Sequence, residues 1–398
     1  MNIYQIFVRN LTQEGTFKAA TQDLHRIAQM GFEVIYLMPF QPISKLNRKG
    51  TYGSPYAIAD YYGVSEDLGT HDEVKTFLET AHQLGLKVIM DIVFNHAGAD
   101  HVWTKTHPHF FLLDEQGNPT RKVADWYDIV DYNFDEIELY TELKKVLMFW
   151  AEFGFDGFRC DVASLVPFSF WLEAISLVCG HYPHIKWYSE SIDHKFLKAL
   201  RLQGESVMSD MDILRMFDGS YDYDIWPLQL EVMFDHSKME TYVEVLNYRY
   251  ALQLKNKVKW HFVENHDQVR MREKGLSDRD YKNWLAFSLF QQGMGFVYQG
   301  MESKSQPHAS FFEKEVINRD FDESLISLMT KINQIKKEIV QQPILWQEFS
   351  YQKESLITEI TVSEFVYTLY CHFGTHGPVL HDKIVEQDSI VITKRKRV

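Results

Sequence analysis

The chain has 398 residues, of which 45% are hydrophobic and 24% are charged, and its formal net charge is −14. This composition is typical of a globular protein with a large core, and the length is sufficient for one large α/β barrel with attachments. The acidic balance argues against a nucleic-acid partner and against an anionic membrane surface, since both need concentrated Lys and Arg.

The N-terminal part alternates predicted strands with predicted helices. Apolar residues recur at helical spacing after Thr16 until Gly31, and Thr70 opens a second helix that ends at Gly85. Strands are predicted from β-rich or continuous apolar runs at residues 3–8, 34–38 and 86–94. This alternation is typical of βα units around a parallel sheet.

Between residues 96 and 131 the alternation stops, and the segment is rich in His, Pro, Asp and aromatic residues. It is too long for an ordinary connection, so we predict a short inserted subdomain after the third strand. Five more strands are predicted beyond it, at residues 158–162, 187–190, 217–221, 259–264 and 295–298. Eight strands close a (β/α)8 TIM barrel, which we expect to comprise residues 1–95 and 132–342.

The last part of the chain has a different pattern. A helix is predicted over residues 323–340, followed by strands without helices at residues 356–362, 365–373 and 389–393. We therefore expect a small antiparallel β C-terminal domain over residues 343–398. The basic run from Lys394 to Arg397 is interpreted as a solvated tail.

Three cysteines, Cys160, Cys179 and Cys371, are widely spaced, odd in number and next to apolar residues. They are interpreted as buried free thiols in a reducing compartment rather than as a disulfide framework. The sequence shows neither a signal-peptide pattern nor an apolar run of membrane-spanning length. We therefore expect a cytoplasmic protein with no membrane partner.

The predicted strand at residues 158–162 carries an arginine two residues before an aspartate. Alternation places Arg159 and Asp161 on the same side of this strand. The guanidinium should keep the carboxylate ionised, and an ionised carboxylate at the end of a barrel strand can act as a nucleophile. Taken alone, such a pair is more simply a structural ion pair.

Polar side chains also end the third, fifth and seventh predicted strands: Asn95, His96, Glu190, His266 and Asp267. In a closed barrel these strand ends face one mouth, where active sites lie. Asp161, Glu190 and Asp267 would repel one another there, so one of them should hold a proton near neutral pH. A protonated carboxylic acid beside an ionised carboxylate is suited to glycosidic bond cleavage. Asp91, alone on the apolar third strand, is interpreted as structural.

These four stretches resemble the signature regions of the α-amylase superfamily, glycoside hydrolase family 13. The resemblance extends from residue 3 to about residue 320 and includes GSPYAIADY and the run EDLGTHDE…DIVFNH. It implies a retaining hydrolase that cleaves α-1,4-glucosidic bonds in maltooligosaccharides or soluble α-glucans. A glucanotransferase or an α-glucosidase of the same superfamily stays an alternative. A non-catalytic carbohydrate-binding protein is disfavoured, because the set of matching residues is complete.

The resemblance also implies a role for each matching residue. Asp161 would be the nucleophile, Glu190 the acid/base, and Asp267 would bind sugar hydroxyls and favour the distorted ring of the transition state. Substrate contacts are implied for Tyr56, His96, Arg159 and His266. In these roles Tyr56 would stack on the sugar, the two histidines would hydrogen-bond it, and the arginine would hold the nucleophile ionised.

Two departures from the family pattern stand out. Where the family commonly has Lys-His after the nucleophile, on the leaving-group side, this chain has Ser164 and Leu165. The family's calcium site uses the residue matching Asn95, but the short insertion offers no recognisable loop for the other ligands. We therefore expect no metal or other cofactor, with calcium left open.

Overall fold

The computed structural model describes residues 1–123, 125–304, 307, 309–375, 380 and 382–397. The strands found within these residues are β1 (Ile3–Ile6), β2 (Val34–Leu37), β3 (Lys87–Ile92), β4 (His96–Gly98), β5 (Ile129–Asp131), β6 (Gly157–Cys160), β7 (Lys186–Ser189), β8 (Gly219–Tyr221), β9 (Val258–Phe262), β10 (Met294–Tyr298), β11 (Ile344–Gln352), β12 (Ser355–Val362), β13 (Phe365–His372), β14 (Lys383–Gln387) and β15 (Ile390–Lys396).

The α-helices of the same residues include one for each of the helices predicted above. They are α1 (Val8–Leu11), α2 (Phe17–Gln29), α3 (His71–Gln83), α4 (Val102–Thr106), α5 (Ile137–Phe153), α6 (Phe168–His181), α7 (His194–Leu202), α8 (Asp210–Leu214), α9 (Trp226–Phe234), α10 (Met239–Leu252), α11 (Asp278–Phe290) and α12 (Glu323–Val340). Thr16 caps α2 by accepting a hydrogen bond from the Ala19 N–H, and Thr70 and Glu73 form a capping box on α3.

Eight of these strands form a closed parallel barrel in the order β1-β2-β3-β6-β7-β8-β9-β10. The predicted (β/α)8 barrel is therefore confirmed. Large aromatic side chains fill its interior, where the Trp260 ring lies 4.9 Å from the rings of both Tyr188 and Tyr221. Because this layer closes the barrel to solvent, polar groups at the strand ends gather above it in the mouth.

The segment after β3 contains the small two-stranded antiparallel sheet β4–β5 and the short helix α4. The register of this sheet pairs His96 with Asp131. His96 therefore lies at the base of the insertion, directly beside the barrel mouth.

The C-terminal strands form an antiparallel sheet in the order β11-β12-β13-β15-β14. The expected antiparallel C-terminal domain is confirmed, with β11 and β14 added to the three predicted strands. The interpretation of the basic run as a tail is wrong, because its first three residues lie in β15. There Lys394 pairs with Glu338, and Arg395 lies 3.1 Å from Glu359.

All three cysteines are unpaired, as predicted, but only two of them are buried. Cys160 lies in β6 and Cys371 in β13, whereas Cys179 is half-buried on α6. Within the described part of the chain, no helix combines the length and the apolar character needed to cross a bilayer.

Candidate active site

One buried guanidinium connects three carboxylates at the mouth of the barrel. The β3–β6 register places Asp91 directly opposite Arg159. Nη1 of Arg159 lies 2.8 and 3.0 Å from the two Asp91 oxygens and 2.8 Å from Asp161 Oδ1. Its Nη2 lies 2.9 Å from Glu190 Oε2. Arg159 is only 1% exposed, so its contacts position carboxylates and leave little of it open to a substrate.

Asp161 and Glu190 follow neighbouring strands. The backbone N–H of Glu190 donates to the Cys160 carbonyl at 2.9 Å and so continues the β6–β7 pairing. Neighbouring strands are about 4.8 Å apart. Asp161 and Glu190 therefore lie opposite each other, about one strand spacing apart at the backbone.

The residue after Asp161 adopts a strained backbone conformation. Val162 has φ 35°, in the left-handed region that β-branched residues seldom occupy. In this conformation its N–H donates to Glu190 Oε2 at 2.8 Å. Glu190 is thus held from two sides, by Arg159 and by the turn that follows the other carboxylate. Strain of this kind persists where the surrounding structure imposes it, often at active sites.

The electrostatics of this cluster depart from the sequence-based expectation. Burial raises the pKa of Asp161 well above its usual value, and the negative charges of Glu190 and Asp91 raise it further. Arg159 lowers this pKa without cancelling the rise, because one cation is shared among three carboxylates. Arg159 therefore opposes the rise in the pKa of Asp161, as expected, but does not outweigh it, and the raised pKa agrees with a proton held within the cluster.

Tyr56 and His266 form a stacked pair beside Asp267. Their rings are 5.7 Å apart at an interplanar angle of 18°, and the Tyr56 hydroxyl lies 2.5 Å from His266 Nε2. His266 Nδ1 lies 2.8 Å from Gln5 Nε2, so both ring nitrogens have protein partners. Asp267 Oδ2 is 3.2 Å from His266 Nε2, and its side chain is 37% exposed. Asp267 therefore faces the mouth, while His266 supports it from behind.

His96 lies next to Tyr56 and is hydrogen-bonded to the backbone of that residue. It is 6% exposed, and burial lowers its pKa to about 4. Its Nδ1 is 3.2 Å from Asn95 Nδ2, and its ring lies 6.1 Å from the Trp126 ring. A neutral imidazole offers one donor and one acceptor, which suits contact with a sugar hydroxyl.

The two positions that depart from the family pattern are differently placed. Ser164 is fully buried, and its carbonyl accepts a hydrogen bond from the Met208 N–H at 3.0 Å. It therefore cannot line the leaving-group side. Leu165 is half-buried and can.

The carboxylates of the inserted segment do not fit a calcium site. Asp100 accepts hydrogen bonds from the backbone of Lys45 at 3.1 Å, and Asp128 pairs with Lys49 at 2.7 Å. Among the described residues of the insertion, Asp131 alone keeps a buried carboxylate oxygen without a partner. Calcium takes six to eight oxygen ligands, so one free carboxylate oxygen does not make a site. The part of the chain that the structure describes also shows no cluster of His, Cys, Asp and Glu suited to a metal ion.

Sequence reasoning missed the part played by Asp91. Its Oδ2 accepts hydrogen bonds from the hydroxyls of Tyr36 at 2.5 Å and Tyr56 at 3.1 Å, in addition to its contacts with Arg159. It thereby connects Arg159 to Tyr56. An acidic residue in an otherwise apolar strand was the available signal, and the strand register would have supplied the missing contact.

Several known proteins are similar to this chain both in sequence and in fold. The family described as α-amylase catalytic domain matches residues 7–130 and 123–356. An α-amylase from Lactobacillus plantarum is 33% identical, with a TM-score of 0.91 over 100% of this chain and 98% of that one. A noncanonic maltogenic α-amylase from Thermotoga neapolitana is 30% identical, with a TM-score of 0.81 over 94% of this chain and 85% of that one.

A curated relative, the α-1,4-glucan:maltose-1-phosphate maltosyltransferase of Mycolicibacterium smegmatis, is 30% identical over 81% of this chain and 48% of its own length. The maltosyltransferase of the same name from Corynebacterium pseudotuberculosis is 32% identical over 53% of this chain and 33% of its own length. The chain thus spans about a third to a half of the length of these curated relatives. The extent of the family match, together with the barrel and its carboxylate cluster, shows that the chain belongs to the α-amylase family of carbohydrate-active enzymes.

Proposed function

We propose that this protein is a retaining hydrolase of α-1,4-glucosidic bonds in maltooligosaccharides or soluble α-glucans. The observation that carries the proposal is the placement of Asp161 and Glu190 on neighbouring strand ends, bridged by Arg159. Asp161 would attack the anomeric carbon while Glu190 protonates the leaving oxygen. Glu190 would then deprotonate the water that hydrolyses the glycosyl-enzyme.

The remaining side chains would hold the sugar in the cleavage subsite. Asp267 is exposed at the mouth and can bind hydroxyls more tightly in the transition state than in the ground state. Tyr56, stacked on His266, would offer its ring face to the sugar, and the neighbouring His96 would hydrogen-bond the sugar. Arg159 and Asp91 would position these groups without touching the substrate.

No step in this reaction uses a metal ion or another cofactor. The three unpaired cysteines are compatible with a cytoplasmic location, which we propose together with the function. Soluble cytoplasmic oligosaccharides would then be the substrates available to the enzyme.

A second candidate function is glycosyl transfer, favoured by the maltosyltransferases among the relatives. Both reactions share the intermediate on Asp161 and differ only in the acceptor that reaches it. Water as the acceptor would yield free sugar. A second glucan would yield a new glycosidic bond, and phosphate would yield a glycosyl phosphate.

Purified protein supplied with maltooligosaccharides separates these functions. We expect shortened oligosaccharides whose new reducing ends are first formed in the α configuration, as followed by NMR. Initial β-configured product would contradict the retaining assignment. Longer oligosaccharides in the product mixture, or phosphorylated sugar formed when phosphate is added, would favour transfer.

A further inference from the structure

The loop between β2 and α3 crosses one side of the mouth and is held at two points by other segments. The Asp100 carboxylate accepts hydrogen bonds from the backbone N–H groups of Lys45 at 3.1 Å and Leu46 at 3.2 Å. Further along the loop, the Thr51 N–H donates to Glu313 Oε1 at 2.9 Å. We call residues 43–55 the β2–α3 loop. Because residues 45–46 and residue 51 are both hydrogen-bonded to other segments, the loop between them forms a fixed wall of the mouth.

The tightest contact of this wall is an ion pair with the inserted segment. Lys49 Nζ lies 2.7 Å from Asp128 Oδ1, with the two side chains 20% and 4% exposed. The same ammonium lies 4.8 Å from the centre of the Tyr127 ring. A largely buried, aromatic-covered pair holds its geometry far better than an exposed surface pair. The β2–α3 loop and the insertion therefore meet and close the space between them.

This closure lies close to His96, which we propose to contact the sugar in the cleavage subsite. The Asp128 carbonyl accepts a hydrogen bond from the Ala99 N–H at 3.0 Å, three residues after His96. The Trp126 ring lies 6.1 Å from the ring of the same histidine. A sugar held by His96 would thus have the ion pair as a near neighbour along the mouth.

The position of the acid/base decides which side of the scissile bond is closed. Glu190 follows β7 and would protonate the leaving group, so the leaving group extends toward the loops after β6 and β7. Lys49 and Asp128 belong to the loops after β2 and β3, on the other side of Asp161 in the barrel order. The closed side therefore holds the glycone, which carries the non-reducing end.

We propose that the Lys49–Asp128 pair ends the glycone side of the cleft, so that the enzyme acts from the non-reducing end and releases one short product of fixed length. This inference rests on the proposed function. The pair would also recognise the terminal sugar, since an ammonium and a carboxylate together supply donors and acceptors for its hydroxyls. An enzyme that cleaves within long chains needs this side open.

Two chromogenic maltoheptaosides test the proposal, one with a free non-reducing end and one whose terminal 4- and 6-hydroxyls are blocked by an ethylidene group. We expect the blocked compound to be cleaved by the natural protein about 10-fold more slowly or worse, because it cannot fit against the ion pair. The free compound should give a single early product.

Lys49→Ala should bring the two rates together and lengthen the early products, because it opens the wall. Asp128→Asn keeps the size of the side chain while breaking the ion pair, and should shift the ratio in the same direction. Lys144→Ala removes an ion pair of similar length, 2.8 Å to Glu173, between α5 and α6 on the outside of the barrel. That control should leave the ratio of rates unchanged.

Equal rates on both compounds with the natural protein, or continued rejection of the blocked compound by folded Lys49→Ala and Asp128→Asn, would overturn the inference. In these cases the proposed hydrolase would still stand, because bonds are cleaved. Absence of turnover on both compounds would instead remove the proposed function, and the inference with it.

Discussion

The two ends of the barrel bury charge in different ways. At the C-terminal end, Arg159 and three carboxylates form one network. At the N-terminal end, Lys336 is 3% exposed and lines a largely apolar cavity of about 440 Å³ between the strand starts, α12 and the C-terminal sheet. Its Nζ donates to the Leu289 carbonyl at 3.0 Å, and among the described residues no carboxylate lies within ion-pair distance of it.

The comparison shows what a buried charge requires. Arg159 stays charged because its carboxylate partners repay the loss of hydration, and they are in turn held in place by it. Lys336 has no such partner, and burial lowers its pKa to about 7. A buried cation at the C-terminal end is thus stabilised by carboxylates, whereas the buried amine at the N-terminal end has a lowered pKa.

Loss of either reacting carboxylate should have the largest effect. Asp161→Asn and Glu190→Gln should each lower kcat/KM by at least about 10³-fold, because no neighbour can replace a nucleophile or a proton donor. Lys336→Met, at the other end, should retain nearly full activity. Steady-state kinetics with circular dichroism on each variant provide the check, and near-normal activity in a folded carboxylate variant would contradict the assignment.

Removal of the shared cation, Arg159, should have the second-largest effect. Arg159→Met leaves three carboxylates, two of them buried, without their shared partner, so the free energy of unfolding at neutral pH should fall by about 3–5 kcal/mol. Urea denaturation at several pH values measures this loss. The loss should shrink in acid, where the carboxylates are protonated, and a pH-independent loss would mean that packing of the side chain is the cause.

Lys336→Met should change stability in the opposite direction, by raising the free energy of unfolding. The lysine has a lower pKa in the folded protein than in the unfolded chain, so the unfolded chain binds more protons between about pH 7 and its ordinary pKa. Its cost is therefore greatest below pH 7 and fades as the pH rises toward 10. The Met variant should be more stable by on the order of 1–4 kcal/mol near pH 6, and by less near pH 10. Denaturation midpoints that coincide with those of the natural protein at pH 6 would show that this amine costs nothing.

The smallest effect concerns the pH dependence of activity. Asp161 must be ionised to attack, and its pKa is raised, so activity should be lost as the pH falls through a value above the ordinary ~3.9 of an aspartate. Below that point kcat/KM should fall about 10-fold per pH unit. A kcat/KM profile between pH 4 and pH 8 tests this, and a profile that is flat down to pH 4 would show that the raised pKa does not govern the reaction.

Much of the barrel could be predicted because parallel strands buried on both faces form continuous apolar runs. The strand predicted at residues 86–94 corresponds to β3, Lys87–Ile92, with only its ends displaced. β11 and β14 escaped prediction because they lie at the edges of the C-terminal sheet. Exposed edge strands carry polar residues on both faces, so they lack an apolar pattern.

The candidate site was predicted as a set of residues but not as a network. Motifs placed Asp161, Glu190 and Asp267 at one mouth, since all strand ends of a barrel meet there. The sharing of Arg159 depends on strand register, and its contact with Asp91 joins residues 68 positions apart. Ser164 is covered by the segment around Met208, which no local pattern indicates. Long-range contacts of this kind are set by the assembled fold.

The fixed wall made by the β2–α3 loop determines which substrate concentration governs the rate. If only a chain terminus fits, the rate at low substrate follows the concentration of non-reducing termini rather than the mass of glucan or the number of bonds. At equal mass, a branched glucan offers more such termini than a linear one of the same size. Cutting a branched glucan at its branch points creates new reducing termini but no non-reducing ones, so prior debranching should leave the initial rate of this enzyme almost unchanged.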